Sequence, residues 1–295
     1  MRCYRTLLLV LFSSSLLHSI DLDKLYFDGD AEPEIVDGQA RSCTASIYFE
    51  NNEYEMWDSL EWFEPGTYEI PEELVHKHNG YVETGTYNIE IIDNLIYLNF
   101  KSNNEYTYKS KLGVLFHPRR LFLYDNDELF FYSNNGFAKN PIHGPFVNSI
   151  STSSFLKEGL VNYKGSNNIK PFLEKLKPWV EGVEGNGEGE WLELQINSYD
   201  IPVSSFLISN GYVSFDKPHL YGYNSRVKKL RVTCEELGID FIADLEDTPN
   251  FQEVKLPEEI TDLNTTFRFT ILEVYEGSKW EDTCVNLIVP LGNIE

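Results

Sequence analysis

Residues 266–271 read Thr-Phe-Arg-Phe-Thr-Ile: every second side chain is apolar and the ones between are polar. A period of two commits a segment to a β-strand with one face buried and one solvated, because successive side chains leave an extended backbone on opposite sides. The pattern recurs along the chain. In GTYNIEII (85–92), Tyr87, Ile89 and Ile91 alternate with Thr86, Asn88 and Glu90. An Asp93-Asn94 turn leads to LIYLNF (95–100), and further short runs follow at 106–116, 120–124 and 129–133, parted by polar turns. Strands this short and closely spaced predict an antiparallel sheet or small barrel from about Ile47 to Tyr132. A second set falls at 190–196, 204–212, 226–234, 239–247, 252–256 and 266–275. The fold class expected is all-β, in two halves, and the eighteen tyrosines and nineteen phenylalanines agree with it. Between the halves, residues 133–150 (SNNGFAKNPIHGPFVNSI) read as a linker rich in Pro, Gly and amides. One or two helical turns are expected within NIKPFLEKLKPW (168–179).

The chain opens MRCYRTLLLVLFSSSLLHSID. Arg2 and Arg5 precede an apolar run from Leu7 to Phe12 and then small serines, the order of a secretory signal peptide over residues 1–20, cleaved near Ser19. No other stretch has the length of apolar sequence a membrane helix requires. The reading is an exported protein, periplasmic, envelope-bound or secreted, with a β-rich domain of unknown role at 21–132. The formal net charge is −23, and loss of both leader arginines takes it to about −25, a balance that repels phosphate backbones and argues against nucleic acid as a partner.

After the leader, Cys43, Cys234 and Cys284 remain. Cys234 and Cys284 share the C-terminal half and form the pair to consider for a disulfide; buried free thiols are the alternative. The pair His76-x-His78 supplies two nitrogen ligands without an evident third, so no metal is expected there. No nucleophile elbow, zinc-protease helix motif or phosphate-binding glycine loop is present, and no catalytic residues are assigned. STSS (151–154) and Glu188-x-Glu190 do not make a convincing NAD-cleaving set. A hydrolase in the N-terminal half is the weakest reading.

Three stretches carry the remaining functional signal. WVEGVEGNGEGEWLELQ (179–195) sets two tryptophans around glycines and glutamates. Its acids invite a metal or acid–base role, but spaced glycines mark turns, and Trp191 alternates with Leu192 and Leu194 as a strand entry. ISNGYVSFDKPHLYGYNSRVKKLRV (208–232) gathers Tyr212, Tyr221, Tyr223, Asn224 and Arg226 after an Asn210-Gly211 turn. Aromatic faces with amide and guanidinium donors suit sugar rings and hydroxyls, or simply tie a loop to its neighbour. VYEGSKWEDTCVNLIV (274–289) turns through Gly277 and Lys279 and places Trp280 and Asp282 before a final strand.

In this order and spacing the three stretches resemble the NADase-type glycan-binding domain, a discoidin-like F5/8 type C module associated with NAD glycohydrolase translocation. The resemblance spans about residues 151–292. It implies a galactose-binding-like jelly-roll sandwich that recognises a glycan or glycosylated surface without catalysis. The matching motif positions are Trp179, Glu181, Asn210, Tyr212, Asn224, Arg226 and Asp282, and Tyr221, Tyr223 and Trp280 join them as candidate ligand-binding residues. Many such modules carry an Asp-Gly turn near a bound cation ahead of the tryptophan. Here NNIKPFLEKLKPW carries Lys175 and Lys177 instead, which puts a structural calcium in doubt, and no other cofactor is expected. A protein partner on a sandwich that has lost its sugar site is the competing expectation.

Overall fold

The computed structural model describes residues 26–36, 39–62, 82–104, 109–117, 120–133, 146–165, 176–197, 202–261 and 264–292. The expected leader, the His76/His78 pair and most of the 168–179 segment lie outside them. Nearly everything described is strand. The first half is an up-and-down barrel of eight antiparallel strands, β1 (Tyr26–Val36), β2 (Gln39–Glu50), β3 (Glu53–Trp62), β4 (Val82–Ile92), β5 (Leu95–Ser102), β6 (Lys111–His117), β7 (Arg120–Asp125) and β8 (Glu128–Ser133). It closes where Phe27 and Asp28 of β1 pair with Ser133 and Tyr132 of β8. The alternation places Ile96, Leu98 and Phe100 of β5 inward with Leu112 and Val114 of β6 and Leu123 of β7. Eight strands enclose a space that such side chains fill. Tyr54 donates to the buried Glu83 carboxylate within this half.

Within the β-rich domain expected at 21–132, the sequence pattern shows individual strands only from about Ile47, so β1 and most of β2 carry no strand signal of their own. Asp28, Gly29, Asp30 and Pro33 break any apolar period in β1. Pro33 falls where the β1–β2 register shifts, between Ala31 and Glu34, as expected of a residue that cannot donate to the ladder.

The second half is a sandwich whose hydrogen-bonded order runs β17-β14-β19-β15-β18-β13-β9. One layer holds β9 (Phe146–Thr152), β13 (Trp191–Asn197), β18 (Thr265–Tyr275), β15 (Ser225–Cys234) and β16 (Ile239–Asp244). The other holds β17 (Gln252–Ile260), β14 (Val203–Asn210), β19 (Thr283–Gly292) and the short β12 (Trp179–Val180). The layers meet at a corner, where Ser225 and Arg226 of β15 run parallel to Thr283 and Cys284 of β19. Phe206 of β14 touches both Phe267 and Phe269 of β18 edge-on at 4.9 Å, joining the layers through the core. A two-residue hairpin, β10 (Lys157–Glu158) and β11 (Val161–Asn162), and a single helical turn, α1 (His219–Tyr223), project from the sandwich.

Two expectations are corrected here. β9 begins at Phe146 and pairs with β13, so the last part of the stretch read as a linker belongs to the sandwich. Cys234 and Cys284 are free thiols, both buried. The parallel pairing puts Cys284 beside Arg226, and the eight residues from there to Cys234 carry the other thiol roughly 26 Å along the strand, far beyond the ~7 Å a disulfide tolerates. Burial pushes the Cys234 thiol up to about 11.

The halves are packed together. Leu95 and Tyr97 of β5, Leu115 of β6 and Tyr124 of β7 point out of the barrel and join Leu207, Val213, Phe215, Phe251 and Leu287 of the sandwich in one apolar cluster. Strands buried on both faces need apolar side chains in succession, which is why LIYLNF, KLGVLF and RLFLY are nearly continuous apolar runs while β4 alternates. Gly113 permits the closest approach: a Cβ there would lie 2.1 Å from the Phe215 ring.

Candidate functional site

At the sandwich corner the loops 181–190, 211–224 and 276–282 come together over a buried polar frame. Asn210 ends β14, and its side chain reaches across to β15. Its Nδ2 donates to the Val227 carbonyl at 2.6 Å, and its Oδ1 accepts from the Val227 and Gly211 amides at 3.1 and 3.0 Å. Gly211 then turns with φ +77° and lies against Arg226 and Tyr221; a Cβ would stand 2.6 Å from Arg226 Cγ. No side chain but hydrogen fits that approach.

Arg226 is the hub. Its Nε and Nη2 bind both oxygens of Asp247 at 3.0 and 2.6 Å, and its Nη1 donates to the carbonyls of Asn224 and Glu276, each at 3.0 Å. Tyr221 also donates to Asp247, at 2.9 Å. Burial pushes the Tyr221 hydroxyl far above its ordinary range, with Asp247 adding to the effect. Asn224 closes α1 by donating Nδ2 to the Leu220 carbonyl at 2.9 Å. On the acidic glycine loop, Glu181 is fully buried and accepts from the amides of Thr283 at 3.1 Å and Val183 at 2.8 Å. Burial, first among several causes, raises its pKa. Trp179 is core, with Nε1 donating to the Ser154 carbonyl at 2.8 Å.

Six of the ten candidate residues therefore sit inside: Trp179, Glu181, Asn210, Tyr221, Asn224 and Arg226. Their polar groups are engaged by the protein itself, so they shape the loops. Four reach the surface, and they do not all meet. Tyr212 is half-buried with its ring 6.1 Å from Tyr163. Asp282 is half-buried; its carbonyl accepts from Ser225 N at 2.9 Å, and burial together with Glu281 and Glu158 raises its carboxyl pKa. Tyr223 and Trp280 do meet, edge to face at 5.5 Å.

That pair is built by backbone. The Tyr223 carbonyl accepts from the amides of Lys279 and Trp280 at 3.1 and 2.9 Å, and the Gly222 carbonyl accepts from Ser278 N and Oγ, both at 3.0 Å. Gly277 makes room, since a Cβ would lie 2.4 Å from the Tyr223 carbonyl oxygen. Lys279 lays its ammonium 4.2 Å from the Trp280 ring and 5.2 Å from that of Tyr223, and His219 stands 5.0 Å from Tyr223. Trp280 is 37% exposed, high for so large an apolar ring. The result is an aromatic shelf with a cation on it, in a neighbourhood of exposed acids such as Glu276 and Glu281.

Sequence reasoning missed Asp247, Asn186 and Ser225. Asn186 accepts from Ser225 Oγ at 3.2 Å and, through its carbonyl, from Thr283 Oγ1 at 2.7 Å, which ties the glycine loop to the corner. Nothing local distinguishes these residues from other loop polars, and in the sequence Lys279 is only part of a turn. Glu181 is spent on the amides of Val183 and Thr283, and among the described residues no three His, Cys, Asp or Glu side chains are grouped to hold a metal ion.

A two-layered sandwich with its loops gathered at one corner is the arrangement of a discoidin-like module. Residues 143–289 match the NAD glycohydrolase translocation F5/8 type C domain, and the C-terminal half of this chain belongs to that family. No curated protein matches the chain. Among solved structures, it is similar to the arabinofuranosyltransferase AftD from Mycobacteria, at 13% identity and a TM-score of 0.28, over 49% of this chain and 11% of that one. It is also similar to allantoicase, at 10% identity and a TM-score of 0.34, over 90% of this chain and 81% of that one. Among the described residues no helix is long and apolar enough to cross a membrane.

Proposed function

We propose that this is an exported carbohydrate-binding protein whose sandwich recognises a glycan at the Tyr223–Lys279–Trp280 shelf, without catalysis. The observation that carries the reading is a half-buried Tyr223 ring and an exposed Trp280 ring, fixed together by backbone hydrogen bonds over a frame of buried polar residues. Sugar rings present C–H faces that stack on aromatic side chains, while directed polar groups select among hydroxyls. Lys279 supplies a donor on the shelf, and Tyr212 with Tyr163 forms a second aromatic edge. The leader-like sequence at residues 1–20 supports export.

A glycan array tests this. Trp280→Ala is expected to weaken binding at least about tenfold, the ~1.4 kcal/mol equivalent of one lost stacking contact. A folded wild-type protein that binds no glycan, or retained affinity in a Tyr223→Ala/Trp280→Ala double variant, overturns the reading. Turnover of NAD or of a glycoside by the purified protein would do the same.

One observation favours a protein partner instead. The β10–β11 hairpin exposes Leu160 completely, and Val161 and Val183 are each 42% exposed. Capture of one stoichiometric partner, lost on Leu160→Asp, with a blank array, is the result that selects this alternative.

A further inference from the structure

The barrel has no role in the reading above, yet one of its turns grips the loops that build the rim. Asp127 lies between β7 and β8. Its Oδ1 accepts from the amides of Phe215 at 2.7 Å and Asp216 at 3.4 Å, and its Oδ2 accepts from Ser214 Oγ at 2.9 Å. Its carbonyl accepts from the amide of Leu176, just before β12, at 2.8 Å. Phe215 is seated between Tyr97 (5.5 Å, edge-on) and Tyr124 (5.6 Å, stacked), and its carbonyl accepts from the Tyr97 hydroxyl at 3.0 Å.

From that grip a continuous chain of bonds leads to the shelf. Ser214 donates to Asp127, which turns its lone pairs toward the Lys217 amide, accepted at 3.0 Å. The Lys217 carbonyl accepts from Leu220 N at 3.0 Å and starts α1, and the Pro218 carbonyl accepts from Tyr221 N at 3.2 Å. α1 ends on Tyr223, whose carbonyl holds Lys279 and Trp280. A five-residue helix is too short to persist unaided. Tyr221 anchors its middle to Asp247, and its first turn is fastened to the barrel through Ser214 and Asp127.

We infer that Asp127 is a positioning residue for the aromatic shelf, so that barrel and sandwich form one binding unit. The step from shelf to ligand rests on the proposed function; the step from Asp127 to shelf does not. A carboxylate suits the task because one side chain accepts three donors, and charge makes each bond stronger than a neutral one.

Hydrogen exchange by mass spectrometry on the full chain, with Asp127→Ala, Asp127→Asn and Ser214→Ala, tests the inference. Asp127→Ala is expected to speed exchange about tenfold across 217–224 and at 278–280, leaving strands 192–196 and 266–270 unchanged. Asp127→Asn keeps the oxygen that serves Phe215 and Asp216 and restores most of the protection. Ser214→Ala cuts only the relay to Lys217 and reproduces the effect on 217–224, which decides the matter if Asp127→Ala fails to fold. Faster exchange confined to 213–216, with 217–224 and 278–280 unmoved in every folded variant, refutes it. In parallel, binding to an immobilised panel of glycans ending in galactose, N-acetylglucosamine, mannose or sialic acid is expected to drop at least about fivefold in Asp127→Ala. A blank panel for the wild type sinks the glycan reading and leaves the exchange result to stand alone.

Discussion

Phe215→Ala is the sharpest probe of how the two halves hold together. The ring is 6% exposed and lies on Gly113 between Tyr97 and Tyr124. Burying a phenylalanine removes about 160 Å² from water, worth about 4 kcal/mol at ~25 cal/mol/Å². Large-to-small substitutions of buried Phe cost about 3–5 kcal/mol, in agreement. Because the ring bridges the halves, the loss falls on their coupling. Equilibrium denaturation should turn one cooperative transition into two, one for the barrel and one for the sandwich. The partner variant, Gly113→Ala, sets a methyl 2.1 Å from a ring carbon, and overpacking of this kind costs about 1–3 kcal/mol. In the Phe215→Ala background the clash disappears. The alanine then becomes neutral or stabilising by about 0.4–1 kcal/mol, through the lower entropy of the unfolded chain. A coupling energy of about 1–3 kcal/mol or more should appear in the double-mutant cycle. Additive effects, or a single transition with an unmoved midpoint in Phe215→Ala, would show that the ring does not join the halves.

Two further outcomes follow from the buried frame. Asp247→Ala strands the Arg226 guanidinium, whose side chain is only 10% exposed, together with the Tyr221 hydroxyl. The loss should be about 3 kcal/mol, the low end for a broken buried pair because the Asp247 side chain is 38% exposed. A thermal scan should show a fall of about 6–12 °C, and an unchanged midpoint would remove Arg226 from its place as hub. Glu181 gives a pH signature. Its carboxyl is held above the ordinary value, so the folded state binds its proton more tightly than the unfolded chain does. Its contribution is therefore most favourable below the unfolded value of about 4.3 and declines as pH rises through the elevated folded one. Thermal midpoints of Glu181→Gln, subtracted from wild type across that window, should show the decline in the wild type alone; parallel curves would contradict it.

How much of this was legible in the chain differs by element. Strands such as 266–271 announce themselves, because a half-buried strand must alternate and nothing else in a sequence does so as cleanly. β1 hid, because Asp28, Asp30 and Pro33 interrupt its pattern, and its place comes from pairing with β2 and β8. The site was legible as a region but not as a surface. Asn210, Tyr221 and Arg226 have the chemistry of ligand contacts, and the same donors and acceptors serve equally well to tie loops down. Only the separation of inside from outside tells the two uses apart. Asp247 and Asp127 carried no signal, since each acts on residues far from it in sequence.

What the chain fixes by itself is local: backbone period, turn positions, the leader-like start and the family motifs, all consequences of which side chains neighbour one another along the polymer. The tertiary structure decided what depends on distance through space. It separated Cys234 from Cys284 along one strand, buried six of the ten candidate residues, and brought Tyr223 and Trp280 together at one corner. It also laid the barrel wall against the sandwich. The physical reason is that burial and contact belong to pairs of surfaces, and a one-dimensional pattern records that a strand has two apolar faces without recording what covers the second.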